Sequence, residues 1–161
     1  MEVYNRYHNA MFNTALRIVK DSAEAEDIMQ ESFLTAFNKL DSFNGEATFG
    51  SWIKRIVVNN SITQYRKTQR YIKVSEDAIK ESFSEEETGV CEDDYTNTKV
   101  SEVLQSLEAL HESYREVLTL HLIEGYDYEE LCEILNISYA NCRTLISRAK
   151  ESLRKKLSIA I

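Results

Sequence analysis

The stretch DYEELCEILNISYANCRTLISRAKESLRKK, Asp127 to Lys156, reads as two helices joined by a tight turn and continued by a basic tail. Asp127 with Glu130 three residues on has the form of an N-cap and its capping-box acid. Tyr128, Leu131, Cys132 and Leu135 then fall at i, i+3, i+4 and i+7, the buried face of one short helix. Asn136 tolerates the left-handed conformation that ends a helix, Ile137 is an apolar plug, and Ser138 can cap the helix that follows. The turn is about three residues long, as a helix–turn–helix requires. On the second helix Cys142, Ile146, Ala149 and Leu153 repeat at i, i+4, i+7 and i+11, leaving Arg143, Ser147, Lys150 and Arg154 on a separate polar face. Such a helix packs inward and presents hydrogen-bond donors outward, as a reader of the DNA major groove must. A charged surface helix in any bundle carries the same pattern. Six basic residues against one acid, Glu151, between Arg143 and Lys156 favour DNA.

The rest of the composition supports an all-α chain. In 161 residues there is no proline and only four glycines, and no strand-type alternation competes with the helical periods. Length admits either one domain or two small ones, and two domains of roughly 60 residues would each bury only about 60% of their unfolded surface, so halves that gain stability on a partner are expected. No apolar stretch of about 18 residues and no secretion leader is present, which predicts a cytoplasmic protein without direct membrane insertion. Cys91, Cys132 and Cys142 form no C-x-x-C pair, and two of them lie on apolar helix faces, so reduced, buried thiols are expected. His8, His111 and His121 lack ligand spacing, and no phosphate loop or Ser/His/Asp pattern occurs. Neither metal, cofactor nor enzymatic chemistry is predicted.

The net charge of −8 opposes unassisted DNA binding until it is located. Residues 1–70 carry nine basic and eight acidic groups, residues 71–100 three and nine, and residues 101–161 seven and ten. The excess is concentrated in the middle. This divides the chain into a first bundle over 1–70, an acidic flexible linker over 71–99 and a second bundle over 100–161 containing the helix–turn–helix. In the first bundle, helices are predicted from about Tyr4 to Lys20, from Ser22 to Leu40 and from Phe49 to about Arg70, with a loop at Asp41 to Thr48 built on Asn44-Gly45. The second helix turns Ala25, Ile28, Met29, Ala36 and Leu40 inward and shows an acidic side with Leu34 in it. The third becomes basic and polar, through Lys54, Arg55, Asn59, Arg66, Lys67 and Arg70. Val100, Val103, Leu104 and Leu107 open the second bundle, followed by a helix bearing Tyr114, Val117, Leu118 and Leu122 that Gly125 stops.

Two blocks together resemble the extracytoplasmic-function (ECF) sigma factors of bacterial RNA polymerase, within the sigma-70 family. The first, AEDIMQESF at 25–33, FNGEATF at 43–49 and WIKRIVVN at 52–59, resembles the family's region 2. The second, YREV at 114–117, GYDYEE at 125–130 and residues 137–149, resembles region 4. The resemblance covers nearly the whole chain. It implies that Asp27, Gln30, Glu31 and Leu34 dock on the clamp helices of the polymerase β′ subunit, with region 4 meeting the β flap. It implies that the loop with Phe43, Asn44 and Gly45 captures a base flipped from the promoter −10 element, that Arg55 and Asn59 line that site, and that Lys54, Arg66, Lys67 and Arg70 flank it or meet phosphates. It places Ser138, Arg143, Thr144, Ser147, Arg148 and Lys150 on the −35 element. It further implies that the acidic linker threads a basic channel of the polymerase and that an anti-sigma factor covers these surfaces. By the residues alone, Phe49 and Trp52 are core, and Trp52 is kept there.

The chain departs from the family's pattern at the recognition helix, where the usual Gly-Thr-Val is Ala140-Asn141-Cys142 and a common arginine is Leu145. His111 stands for a usual proline. The expected activity is direction of core RNA polymerase to promoters and help in opening them. Two other readings use the same residues: a free-standing regulator that binds duplex DNA through 127–156 and dimerises through 1–70, and a helical adaptor that binds only proteins.

Overall fold

A computed structural model of the chain describes residues 1–78 and 98–160. Among these there are seven α-helices and no strand, in two compact units, Met1–Val90 and Cys91–Ile161. The acidic runs of the expected linker, Glu85 to Glu87 and Glu92 to Asp94, lie outside the described residues, as does Cys91.

The first unit is three mutually packed helices, α1 (Glu2–Val19), α2 (Ser22–Asn38) and α3 (Phe49–Ala78). Lys20 ends α1 in the left-handed conformation (φ 63°), a strained choice for a non-glycine residue that lets the chain reverse at once into α2. Asp21 then caps α2, its carboxylate accepting from the Glu24 N–H at 2.8 Å. The core is Met11, Ala15 and Ile18 from α1, Ala25, Ile28 and Phe33 from α2, and Ile53, Val57, Val58 and Ile62 from α3. Full burial of the Met, Val, Ile and Phe side chains among these contributes about 1.5–3 kcal/mol each. Two buried hydroxyls are satisfied: Ser61 donates to the Val57 carbonyl at 2.7 Å, and Ser32 accepts from Asn60 Nδ2 at 3.0 Å, pinning α2 to α3.

Two expectations are corrected in this unit. Leu40 is 49% exposed: α2 stops at Asn38, and a 3₁₀ turn over Leu40–Ser42 carries Leu40 off the inward row. Helix α3 runs on to Ala78 instead of ending near Arg70, so the first part of the expected linker is helical. Its acidic composition suggested a linker, but YIKVSEDA holds no glycine or proline to break a helix.

In the second unit α4 (Thr98–Glu108), α5 (Glu112–Leu118) and α6 (Tyr128–Leu135) all pack on the long α7 (Tyr139–Ala160). Leu107, Leu110, Val117, Leu118, Leu131, Ile134 and Leu135 meet the α7 row Cys142, Ile146, Ala149 and Leu153, all buried as the period predicts. Val100 and Val103 stand 40% and 41% exposed, because burial on this side begins only at Ser106 and Leu107. Leu122 is also exposed, at 52%. After Leu118 the helix widens into a π turn over Thr119–Ile123, closed by the Glu124 N–H on the Thr119 carbonyl at 3.0 Å. That wider turn shifts the register so that Leu120 and Tyr126 fill the core in place of Leu122. Gly125, at φ 80°, ends the segment. His111 caps α5, its imidazole accepting from the Ser113 N–H at 3.4 Å.

Candidate nucleic-acid interface

The second unit folds its reading helix from local rules. Asp127 accepts from the Glu130 N–H at 2.8 Å while Glu130 accepts from the Asp127 N–H at 3.0 Å, a complete capping box at the start of α6. Asn136 ends α6 in the left-handed conformation (φ 53°), and Ser138 caps α7 by accepting from the Asn141 N–H at 3.3 Å. Three residues, 136 to 138, separate the two helices.

On α7 the exposed surface opposite the buried row carries Arg143, Thr144, Ser147 and Arg148 together. Lys150 is half-buried at the edge of that row and is not on the outermost strip. Glu151 is paired with Lys155 at 3.1 Å, which reduces its repulsion toward phosphates. Under the turn, the Cys142 thiol points at the Tyr128 carbonyl at 3.8 Å. Its pKa is pushed up from 9.0 to about 11, first by burial and then by the Cys132 thiol beside it. Cys142 is therefore an inert core group, whereas Cys132, expected to be buried, is only half so. Cys132 sits on the flank of the α6 stripe, and Ile134 takes the place the periodicity had given it.

In the first unit, Asp27, Gln30, Glu31 and Leu34 fall at i, i+3, i+4 and i+7 on the outer side of α2, all exposed, with Leu34 at 65%. Their exposure on one side is what the spacing predicts. Asp27 and Glu31 also line a cleft of about 340 Å³ with Glu24, Ile28, Asn60, Thr63 and Gln64. Glu24 is held there by Thr68 Oγ1 at 3.2 Å and Gln64 Nε2 at 3.5 Å.

The loop from Phe43 to Phe49 rests on an aromatic cluster: Phe43 lies 5.1 Å from Trp52 and 5.9 Å from Phe49 between ring centroids, and Phe49 lies 5.7 Å from both Trp52 and Tyr7. Trp52 is half-buried under this loop and is not a member of the closed core. Tyr7 of α1, whose ring meets Phe49, is the other wall. Asn44 turns the loop by accepting from the Glu46 N–H at 3.1 Å, and Gly45 supplies the positive φ of 76° that this turn needs. Beyond the loop, Arg55, Asn59, Arg66 and Arg70 lie along one outer side of α3, at i, i+4, i+11 and i+15, with Lys67 beside them. Lys54 follows the fully buried Ile53 and faces away from Asn59, so the structure does not bring it to that side.

Among the described residues no cluster of His, Cys, Asp or Glu could hold a metal ion, and no helix is long and apolar enough to cross a membrane. What the two units offer is one acidic helix face, one aromatic loop heading a basic helix, and one helix–turn–helix.

Comparison with known proteins matches one family profile within each unit. The family profile of Sigma-70 region 2 matches residues 3–71, and that of Sigma-70, region 4 matches residues 101–153. The ECF RNA polymerase sigma factor SigW of Bacillus subtilis is 31% identical over 97% of this chain and 87% of its own length. SigM of the same organism is 29% identical over 95% and 91%. The ECF RNA polymerase sigma-E factor of Haemophilus influenzae is 30% identical over 95% and 84%. Among solved structures, the sigma factor RpoE in complex with the anti-sigma factor NepR from Bartonella quintana superposes with a TM-score of 0.68, at 23% identity over 98% of this chain and 96% of that one. With both regions present, in this order and over nearly the full length of its relatives, the chain belongs to the ECF sigma factors, the DNA-binding initiation subunits of bacterial RNA polymerase.

Proposed function

We propose that this sigma factor divides its work among the three surfaces just described. The outer face of α2, with Asp27, Gln30, Glu31 and Leu34, docks on the β′ clamp helices of core RNA polymerase. The Phe43–Phe49 loop and Asn59 take a base of the −10 element out of the melted duplex, and Arg55, Arg66, Lys67 and Arg70 hold the adjoining phosphates. The helix α7 reads the −35 element through Arg143, Thr144, Ser147 and Arg148, with Ser138 and Lys150 at its borders and the β flap behind the unit.

One observation carries the reading. Exposed carboxylates surround a 65% exposed leucine on one helix side whose opposite side is committed to the core, so packing within the unit makes no use of Leu34. Capture of a flipped base rests on the aromatic cluster of Phe43, Phe49 and Trp52 and on the exposed Asn59 amide, since an unstacked base needs a π surface and edge contacts to offset a few kcal/mol of unstacking. The chain acts as a subunit of the polymerase in the cytoplasm, with no reaction or cofactor of its own. The Bartonella sigma factor is bound by an anti-sigma factor, and a partner of that kind is part of the proposal for this chain.

The test is the double substitution Asp27→Lys with Glu31→Lys. Surface charge changes of this kind alter folding by less than about 0.5 kcal/mol, whereas like charges at an interface cost several kcal/mol. The variant should keep its helical melt and lose affinity for core polymerase in fluorescence anisotropy. Normal folding together with wild-type affinity would remove the clamp assignment.

A further inference from the structure

We infer that Asn141 is a base-reading residue of this protein, recognising an adenine in the upstream promoter element. The inference rests on the assignment of α7 to duplex DNA made above. Asn141 stands on the exposed surface of α7, and its backbone N–H is already taken by the Ser138 hydroxyl at 3.3 Å. Its carboxamide makes no bond to any other described residue.

Position gives that free amide its meaning. With Cys142, Ile146, Ala149 and Leu153 turned into the core, Asn141, Thr144 and Arg148 form a strip at i, i+3 and i+7 on the outward surface, all three exposed. Asn141 opens the strip in the first turn of α7, the part of a recognition helix whose side chains meet base edges in helix–turn–helix complexes. Ala140 beside it is exposed and carries only a methyl group, so nothing bulky there holds the helix away from the groove.

The chemistry selects the base. A carboxamide offers a donor and an acceptor in one plane, and adenine in the major groove presents the complementary pair, the N7 acceptor and the N6 amino donor. The threonine usual at this position in the family has a single hydroxyl and cannot make that two-point contact. The helix advances about 1.5 Å per residue and stacked base pairs about 3.4 Å, so Asn141 and Arg148, seven residues apart, address positions about three base pairs apart. The adenine should therefore lie about three base pairs from the base that Arg148 specifies.

The experiment is initiation by the full chain with core RNA polymerase on a promoter library randomised across the upstream element, comparing wild type, Asn141→Ala, Asn141→Thr and Arg148→Ala. Both Asn141 variants should lose an adenine preference of about 5- to 150-fold at one position and keep the remaining preferences, including the one that Arg148→Ala removes. Preference is a ratio within each variant, so a smaller folded fraction cannot imitate this result. Unchanged preferences in both Asn141 variants, or an even loss across the library as a phosphate contact would give, would overturn the inference. A wild type and an Arg148→Ala variant that both show no upstream preference would overturn the assignment of α7 itself, and Asn141 with it.

Discussion

Asp127 and Glu130 close each other's backbone at the entrance to the helix–turn–helix, each carboxylate accepting the other's N–H, at 2.8 and 3.0 Å. The helix they start is only eight residues long, too short to persist alone, so its caps and the burial of Leu131, Ile134 and Leu135 hold it against α7. Asp127→Ala should cost about 0.5–2 kcal/mol, typical of a lost N-cap, and should weaken upstream DNA binding in proportion. Urea denaturation followed by circular dichroism checks this, and a midpoint equal to wild type would show that the cap does not hold the motif.

Arg143→Ala and Arg148→Ala should each change which bases are preferred upstream, since a bidentate base contact is worth about 1–3 kcal/mol of discrimination. Lys155→Ala should lower binding evenly across sequences. Its ion pair with Glu151 is largely exposed and adds little to stability, so the loss reports on phosphate contact. Quantitative binding of a sequence library separates the two patterns. Identical preferences in wild type and both arginine variants would contradict the placement of these side chains over the groove.

A Cβ added at Gly50 would come 2.9 Å from Tyr7 Cε1, so the ring that supports Phe49 must move. Gly50→Ala should destabilise the first unit by about 1–3 kcal/mol and displace the loop floor, while Asn59→Ala, at an exposed site, should fold normally. Both should reduce permanganate reactivity of thymines in the −10 region while closed complexes still form. Normal reactivity in Asn59→Ala would remove its role on the melted strand.

Much of this was legible in the sequence. The α7 row from Cys142 to Leu153 follows a period set by packing against three helices, and the caps at Asp127 and Ser138 are local chemistry that reads the same in any context. The face of Asp27, Gln30, Glu31 and Leu34 was equally plain, because its spacing alone fixes it to one side of α2. Leu40 and Leu122 were misplaced because each lies just past a change of helix type, where a 3₁₀ or π turn breaks the 3.6-residue count. Asn141 enters the sequence reading only as a departure from the family's pattern, because sequence alone does not show whether its carboxamide is bonded within the fold.

Cys142 and Cys132 should differ in reactivity. The Cys142 thiol is pushed up to about 11, so at pH 8 it is protonated and buried, and alkylation followed by mass mapping should label Cys132 well before it. The pKa is raised by folding, so its contribution to stability is complete below about pH 9 and is lost as pH rises toward about 11. Replacing Cys142 with alanine should flatten that alkaline loss. Equal labelling rates for the two thiols in the folded protein would show that the turn is open.

The most direct measurement is to combine the protein with core RNA polymerase and map transcript starts across genomic DNA. Starts that depend on the added protein should share an upstream element and a −10 element at fixed spacing, and the upstream preferences should change with Arg148→Ala. Starts no different from those of core polymerase alone, alongside tight binding to palindromic sites without polymerase, would contradict its action as a polymerase subunit.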